Sequence, residues 1–214
     1  MAKISLCMVI RNGEKTLPPI FKKLSPIVDE IVVVDQDSDD KTREVCEKFN
    51  VYYHKTTRKN LADIDRNTCY NIATGDVVLA LDDDEMPDKK MLSFLRKVKE
   101  QGLEHDVYWF KFRNTVDGVD IHSILGDDWH PRVWKRDDSK MQLIDWPVRA
   151  HTFPKINTHD QFFSTQGKVD HVRSLKKIRR VTEERAKAMD GGNIQIEQNF
   201  LARVEQLVSL RKRK

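Results

Sequence analysis

Cysteine is scarce and unpatterned: Cys7, Cys46 and Cys69 lie far apart and form no C-x-x-C spacing. This excludes a disulfide framework and a zinc knuckle, and it fits a reducing cytosol. No apolar run approaches the roughly 18 residues that a membrane span needs. Met1-Ala2-Lys3-Ile4-Ser5 leads straight into strand-like sequence rather than a secretory leader. Neither export nor an integral membrane segment is expected. Internal repeats and low-complexity tracts are absent from the sequence. Charge is not of one sign either, with 38 Lys and Arg against 34 Asp and Glu and a net charge of +4. At 39% hydrophobic and 34% charged residues, and a mean hydropathy of −0.63, the chain is polar yet well short of a disordered composition. Its 214 residues suit one compact body with an appended helical arm.

What is present is unevenly distributed. Acids crowd residues 35–40 and 82–85, and the segment from Val172 onward is strongly basic. A metal site together with an anion-facing surface needs acid in one place and base in another. Over the first hundred residues, short apolar runs alternate with amphipathic stretches, the pattern of a βαβ sheet covered by helices. Strands are predicted at 4–10, 30–34, 51–53 and 76–81. Helices are predicted at 17–24, from an Asp39 or Asp40 cap to Phe49, at 61–73, and from Pro87 with Met91, Leu92, Leu95 and Val98 on one face. Beyond Gly102 comes a strand at 107–112, a turn at Asp117-Gly118, and a stretch to about Gly167 rich in Trp, His, Asp and Pro. Helical spacing returns at 172–189, breaks at Gly191-Gly192, and ends in a helix carrying Phe200, Leu201, Val204, Leu207 and Val208.

Four consecutive acids at the end of a buried strand repel one another unless cations or hydrogen-bond donors sit beside them. In open α/β sheets ligands bind beyond the carboxyl ends of strands. Two strand ends carry acids here, Asp35 after the second strand and Asp82 with Asp84 after the fourth. Hard oxygen ligands in a D-x-D pattern suit Mg²⁺ or Mn²⁺, ions that keep positions open for phosphate oxygens. The plainer reading is a solvated lead-in to the helix after Pro87.

Ile10-Arg11-Asn12-Gly13-Glu14 follows the first strand, and Val32-Val33-Val34-Asp35-Gln36-Asp37-Ser38-Asp39-Asp40 spans the end of the second. Arg66-Asn67 lies on the third helix, and Ala73-Thr74-Gly75-Asp76 leads through the fourth strand into Asp82-Asp83-Asp84-Glu85. In this order the segments resemble the successive signatures of family-two glycosyltransferases of the GT-A fold. The resemblance implies an α/β fold, a Rossmann-like mixed sheet flanked by helices, with C-terminal helices. It implies inverting transfer of a sugar from a nucleotide diphosphate sugar, usually a UDP-sugar, with Mn²⁺ or Mg²⁺. Asp35 would contact base and ribose, with Arg11, Arg66, Asp82 and Asp83 also on the donor side. Asp84 would hold the metal, with Asp82 near it. Gln36-Asp37 and Asp83 stand where relatives usually have small residues, which makes this site more acidic.

In the second half, Gly167-Lys168-Val169-Asp170-His171 is similar to the family's late strand ending in histidine, which makes His171 the candidate to complete the metal shell. Val148-Arg149-Ala150-His151 resembles a valine-histidine-acid signature, but Thr152 replaces the acid and the base it would supply. An inverting reaction needs a group to take the acceptor's proton. Asp128 and Asp127, beside Trp129, are the candidates, although Gly-Asp-Asp is also ordinary turn chemistry. Trp129, Trp134 and Trp146 suit sugar stacking or, more often, a core.

The organisation expected is a GT-A domain over 1–171, comprising a nucleotide-sugar half at 1–105 and an acceptor half at 106–171, then basic helices at 172–214. Arg173, Lys176, Lys177, Arg179 and Arg180 form either a solvated helix face or a positive wall for a diphosphate, an anionic headgroup or nucleic acid. The acceptor classes left open are glycan, lipid, protein and a modified nucleic-acid base. The last helix can serve a homodimer, and the expected location is the cytoplasm, peripherally at the inner membrane surface. A nucleotidyltransferase making a sugar nucleotide is the alternative enzyme, but Arg11-Asn12-Gly13-Glu14 is too short and acidic for its phosphate loop. The non-enzymatic alternative is a nucleotide- or nucleic-acid-binding module.

Overall fold

The computed structural model describes residues 1–57, 62–137, 141–142, 155–156, 158–188 and 194–212. Strands β1 (Ile4–Ile10), β2 (Glu30–Gln36) and β3 (Tyr52–Thr56) are joined by helices α1 (Leu17–Leu24) and α2 (Thr42–Lys48), and α3 (Ala62–Ile72) leads into β4 (Val77–Ala80). Next come β5 (Glu85–Pro87), α4 (Lys89–Gln101), β6 (Val107–Val116), β7 (Val119–Asp120), α5 (His122–Leu125) and β8 (Trp129–Lys135). The short β9 (Met141–Gln142) and β10 (Lys155–Ile156) precede β11 (Gln161–Arg173), α6 (Leu175–Ala188) and α7 (Ile194–Lys212).

The main sheet runs β3-β2-β1-β4-β8-β6-β11-β5, with β7 paired to β6. β3, β2, β1 and β4 are mutually parallel, whereas β8 is antiparallel to both β4 and β6. This is the mixed, helix-flanked α/β sheet that the sequence predicts. β1 is apolar throughout except Ser5 because both its faces are covered. Ile4, Leu6, Met8 and Ile10 face one core with α1 and α4, while Cys7 and Val9 face the other with Cys69, Tyr70 and Ala73 of the α3 side. A third cluster, Val116, Ile121, Ile178, Val204 and Val208, joins α6 and α7 to the end of β6. The apolar face of α7 therefore packs on its own chain. No helix among the described residues is long and apolar enough to cross a membrane.

Two element boundaries differ from expectation. Pro87 ends β5 instead of opening a helix, because Glu85–Pro87 pairs antiparallel with Val169–His171 at the end of the sheet, where a missing N–H is tolerated. Helix α4 starts at Lys89, capped by Asp88, whose carboxylate accepts the Met91 N–H at 2.8 Å. β11 continues parallel to β6 as far as Arg173, which delays α6 to Leu175. Gly167 permits this course: its φ is 145°, and a Cβ there would lie 2.4 Å from the Met91 backbone nitrogen.

Candidate active site

Three adjacent parallel strands, β2, β1 and β4, bring Asp35, the segment from Arg11 and the acids from Asp82 to one end of the sheet. Asp35 is buried, and its Oδ1 accepts the Ser38 N–H and hydroxyl, while Oδ2 accepts the Tyr53 hydroxyl. Burial and the Asp35 carboxylate push the Tyr53 phenol well up, so it stays a donor. The loops after β1 and β2 are laced together. The Asn12 N–H donates to Ser38 Oγ at 2.8 Å, the Asp39 N–H to Asn12 Oδ1 at 3.0 Å, and the Gly13 N–H to Thr42 Oγ1 at 2.8 Å. Asn12 and Asp37 both hold positive φ, 61° and 56°, a conformation that favours Asn and Asp among non-glycine residues. Asp37 also pairs with Lys55 at 2.9 Å.

The acids at 82–85 are met by cations from three separate elements. Arg66 of α3 places Nη2 at 2.8 and 3.1 Å from the two oxygens of Asp82. Lys177 of α6 sits 2.9 Å from Asp83 and 3.1 Å from Asp84. Arg132 of β8 grips Glu85 at 2.6 and 2.8 Å, in a pair whose side chains are 2% and 1% exposed. The positive charge that electrostatics demands here is thus supplied in part by the chain. Glu85 Oε2 also accepts the Asp82 N–H at 3.2 Å, so the fourth acid braces the turn rather than facing a ligand. The reading as a solvated helix cap does not describe these residues, since Asp88 is the cap. Burial pushes the carboxyls of Asp82 and Asp84 up, but the Arg66 charge at the first, and His171 with Lys177 at the second, outweigh it and hold both below the usual range.

His171 Nε2 stands 3.5 Å from Asp84 Oδ1, and its Nδ1 is 2.8 Å from Asn114 Oδ1. Asn114 donates through Nδ2 to Asp128 at 2.8 Å, and Asp128 Oδ1 lies 2.8 Å from His130 Nε2. One continuous network therefore joins Asp84 to Asp128. Burial raises the Asp128 carboxyl, but the hydrogen bond and charge of His130, with Asn114 and His171 beyond, win and hold it at about 2. Asp127 is exposed and paired with Lys111, which lowers its carboxyl.

The structure thus brings Asp35, Arg66, Asp82, Asp83, Asp84 and His171 to one end of the sheet and links Asp128 to them; Arg11 follows β1 there, half-buried, and Asp127 is exposed and held by Lys111. Asp82 turns to Arg66, and among the described residues no three His, Cys, Asp or Glu side chains converge as a metal cage. Asp84 and His171 remain as an oxygen and nitrogen pair, which fits an ion of the Mg²⁺ or Mn²⁺ kind that takes its other ligands from phosphate and water. Sequence reasoning missed Asn114, His130 and the buried Asp65, which accepts from Gln36 at 2.7 Å. His130 lies in the stretch rich in Trp, His, Asp and Pro, but nothing local distinguishes Asn114 or Asp65. Trp134 is core, edge-on to Tyr70, and Trp129 meets Phe163 edge-on. Trp146 and the 148–152 segment with His151 lie outside the described residues.

The sequence model described as glycosyl transferase family 2 matches residues 5–157. The chain belongs to that family. Among solved structures, this family-2 chain is similar to TarS of S. aureus, with a TM-score of 0.60 and 16% identity over 94% of this chain and 42% of that one. It is also similar to the TarS 1–349 fragment in complex with UDP, with a TM-score of 0.57 and 17% identity over 94% of this chain and 70% of that one. These likenesses establish the GT-A fold. A TPR repeat-containing protein of Synechococcus elongatus is 34% identical over 85 residues, which is 40% of this chain and 21% of that protein. The family-2 chain therefore spans about a fifth of that curated relative and 42% of the TarS chain.

Proposed function

We propose that the chain is an inverting glycosyltransferase that moves a sugar from a nucleotide diphosphate sugar, a UDP-sugar, to an acceptor hydroxyl. The observation that carries this reading is the arrival of the buried Asp35 and the 82–84 turn at one end of the parallel strands β2 and β4, on either side of β1 and tied together by the segment after β1. UDP in the crystals of a TarS fragment that shares the fold supports the choice of nucleotide. Asp35 and Tyr53 receive base and ribose, and Arg66 with Asp82 faces the donor sugar. Asp84 and His171 would hold a divalent ion, whose chemistry is to offset the charge growing on the leaving diphosphate.

The acceptor oxygen attacks the anomeric carbon from the face opposite the diphosphate. The bond from that carbon to the phosphate oxygen breaks, its electron pair leaves on the diphosphate, and Asp128 takes the acceptor's proton. With its carboxyl held at about 2 by His130 and Asn114, Asp128 is ionised at neutral pH; that lowering weakens it as a base, so its part rests on position rather than on basicity. The network through Asn114 to His171 keeps it in register with the 84 end of the turn. The reaction is assigned to the cytoplasmic side, with the acceptor a glycan, lipid, protein or modified base. The test is a panel of UDP-, GDP- and TDP-sugars screened for Mn²⁺-dependent thermal stabilisation and slow sugar release, with the anomer of the first product read by NMR. Stabilisation by UDP-sugars and inversion are expected. No response to any nucleotide sugar, or a retained anomer, removes the proposal.

A further inference from the structure

Asp83 and Asp84 already share a cation that belongs to the chain. Lys177 Nζ lies 2.9 Å from Asp83 Oδ1 and 3.1 Å from Asp84 Oδ2, on a side chain 32% exposed. Asp83 is held from the opposite side by the Thr16 hydroxyl at 3.0 Å. The lysine is delivered by a packed helix rather than a loose tail. Its neighbour Ile178 is buried with Val116, Ile121, Val204 and Val208 in a cluster separate from the two cores that flank the main sheet.

Asp84 is also the carboxylate next to His171, so an ammonium on Asp84 and a divalent ion on the Asp84–His171 pair would share one acid. Two cations on one carboxylate repel, and each weakens the other's hold. An incoming diphosphate reverses the balance, because it brings negative oxygens to the same place. Lysine suits such an exchange: it is a compact charge with three rotatable donors on a flexible four-carbon stem. Of the basic residues at 173–180, Arg179 is bound to Glu205 of α7, and Arg173 lies over the Phe200 ring. Lys177 turns its charge into the carboxylate turn.

We propose that Lys177 is the resident counter-ion of the 83–84 turn, which competes with the divalent ion in the free protein and transfers its ammonium to the donor diphosphate when the nucleotide sugar binds. The inference rests on the glycosyltransferase reading above and adds a leaving-group ligand to it.

The test uses the full chain, its Lys177→Met variant, and Lys177→Gln as a polar replacement should the first fail to fold. Calorimetry measures Mn²⁺ alone, then UDP in saturating Mn²⁺, and sugar release from the donor is followed separately. Removing the ammonium should tighten Mn²⁺ binding without nucleotide by about tenfold, weaken UDP by about tenfold, and slow sugar release. A lysine that merely supports the fold would weaken all three together. Unchanged or weaker Mn²⁺ binding in both variants, or unchanged UDP binding, overturns the role of Lys177 while leaving wild-type donor binding intact. A wild-type chain that binds neither Mn²⁺ nor UDP fails the glycosyltransferase reading itself, and the inference falls with it.

Discussion

Replacing Arg132 with methionine strips the guanidinium from Glu85 at the base of the 82–85 turn. Both side chains are almost wholly buried, the contact is two-pronged at 2.6 and 2.8 Å, and the guanidinium carbon also lies 4.8 Å from the Phe112 ring centre. Methionine keeps most of the packing against Phe112 but leaves a carboxylate in a dry site. Breaking such a pair on one side costs about 3–5 kcal/mol, far more than the net worth of the pair. For a chain of this size each kcal/mol lowers Tm by about 2–4 °C, so the expected fall is roughly 6–20 °C in a calorimetric scan. Adding Glu85→Gln should recover much of it, since the amide oxygen can still accept the Asp82 N–H without burying a charge. A single variant that loses less than about 1 kcal/mol, or a double variant no better than the single, would refute the reasoning.

Asp84→Asn should abolish the Mn²⁺ dependence of both thermal stabilisation and turnover while the fold persists; full metal-dependent activity would remove the role given to that residue. Asp35→Asn should keep Tm within a few degrees yet weaken UDP binding by about tenfold, since one more hydrogen bond or charge contact is worth on the order of 1.4 kcal/mol; unchanged affinity by calorimetry moves the base pocket elsewhere. Asp128→Asn should spare donor binding and block transfer, and persistent transfer would direct the search to Asp127. The same variant gives a pH test. The Asp128 carboxyl is depressed in the fold to about 2 from 3.8, so its stabilisation is present above about pH 4 and lost as the pH falls toward 2. Unfolding free energies from urea titrations should favour wild type over Asp128→Asn by up to roughly 2 kcal/mol at pH 5 and by much less at pH 2.5, whereas a gap independent of pH contradicts the shift.

The sequence was most readable where local pattern and tertiary role coincide. The runs at Ile4–Ile10 and Val32–Val34 are buried on both faces, and a strand so placed must be apolar at nearly every position. The gathering of acids at one end of the sheet followed from the acids at two strand ends, because parallel strands deliver their carboxyl ends to the same side. Pairings between distant segments were illegible. Asn114 sits in a half-buried alternating strand, and its importance arises only because His171 and Asp128 arrive beside it from elsewhere in the chain. The repulsion among the acids at 82–85 was visible, but not that Arg66, Lys177 and Arg132 would answer it, since basic side chains are usually solvated. Pro87 misled for a related reason: a proline after acids is a sound helix-start signal, and only the late strand at Val169–His171 turns it into an edge.

That short β5 has a consequence for how the molecule behaves in crowded solution. Three residues, one of them a proline with no donor to offer, give a neighbouring chain almost nothing to template on. At the far end β3 presents exposed Lys55 beside exposed Tyr52 and His54, and a lysine on an edge discourages ribbon-to-ribbon joining. Margins of this kind disfavour edge-to-edge growth of the main sheet into fibrous aggregates.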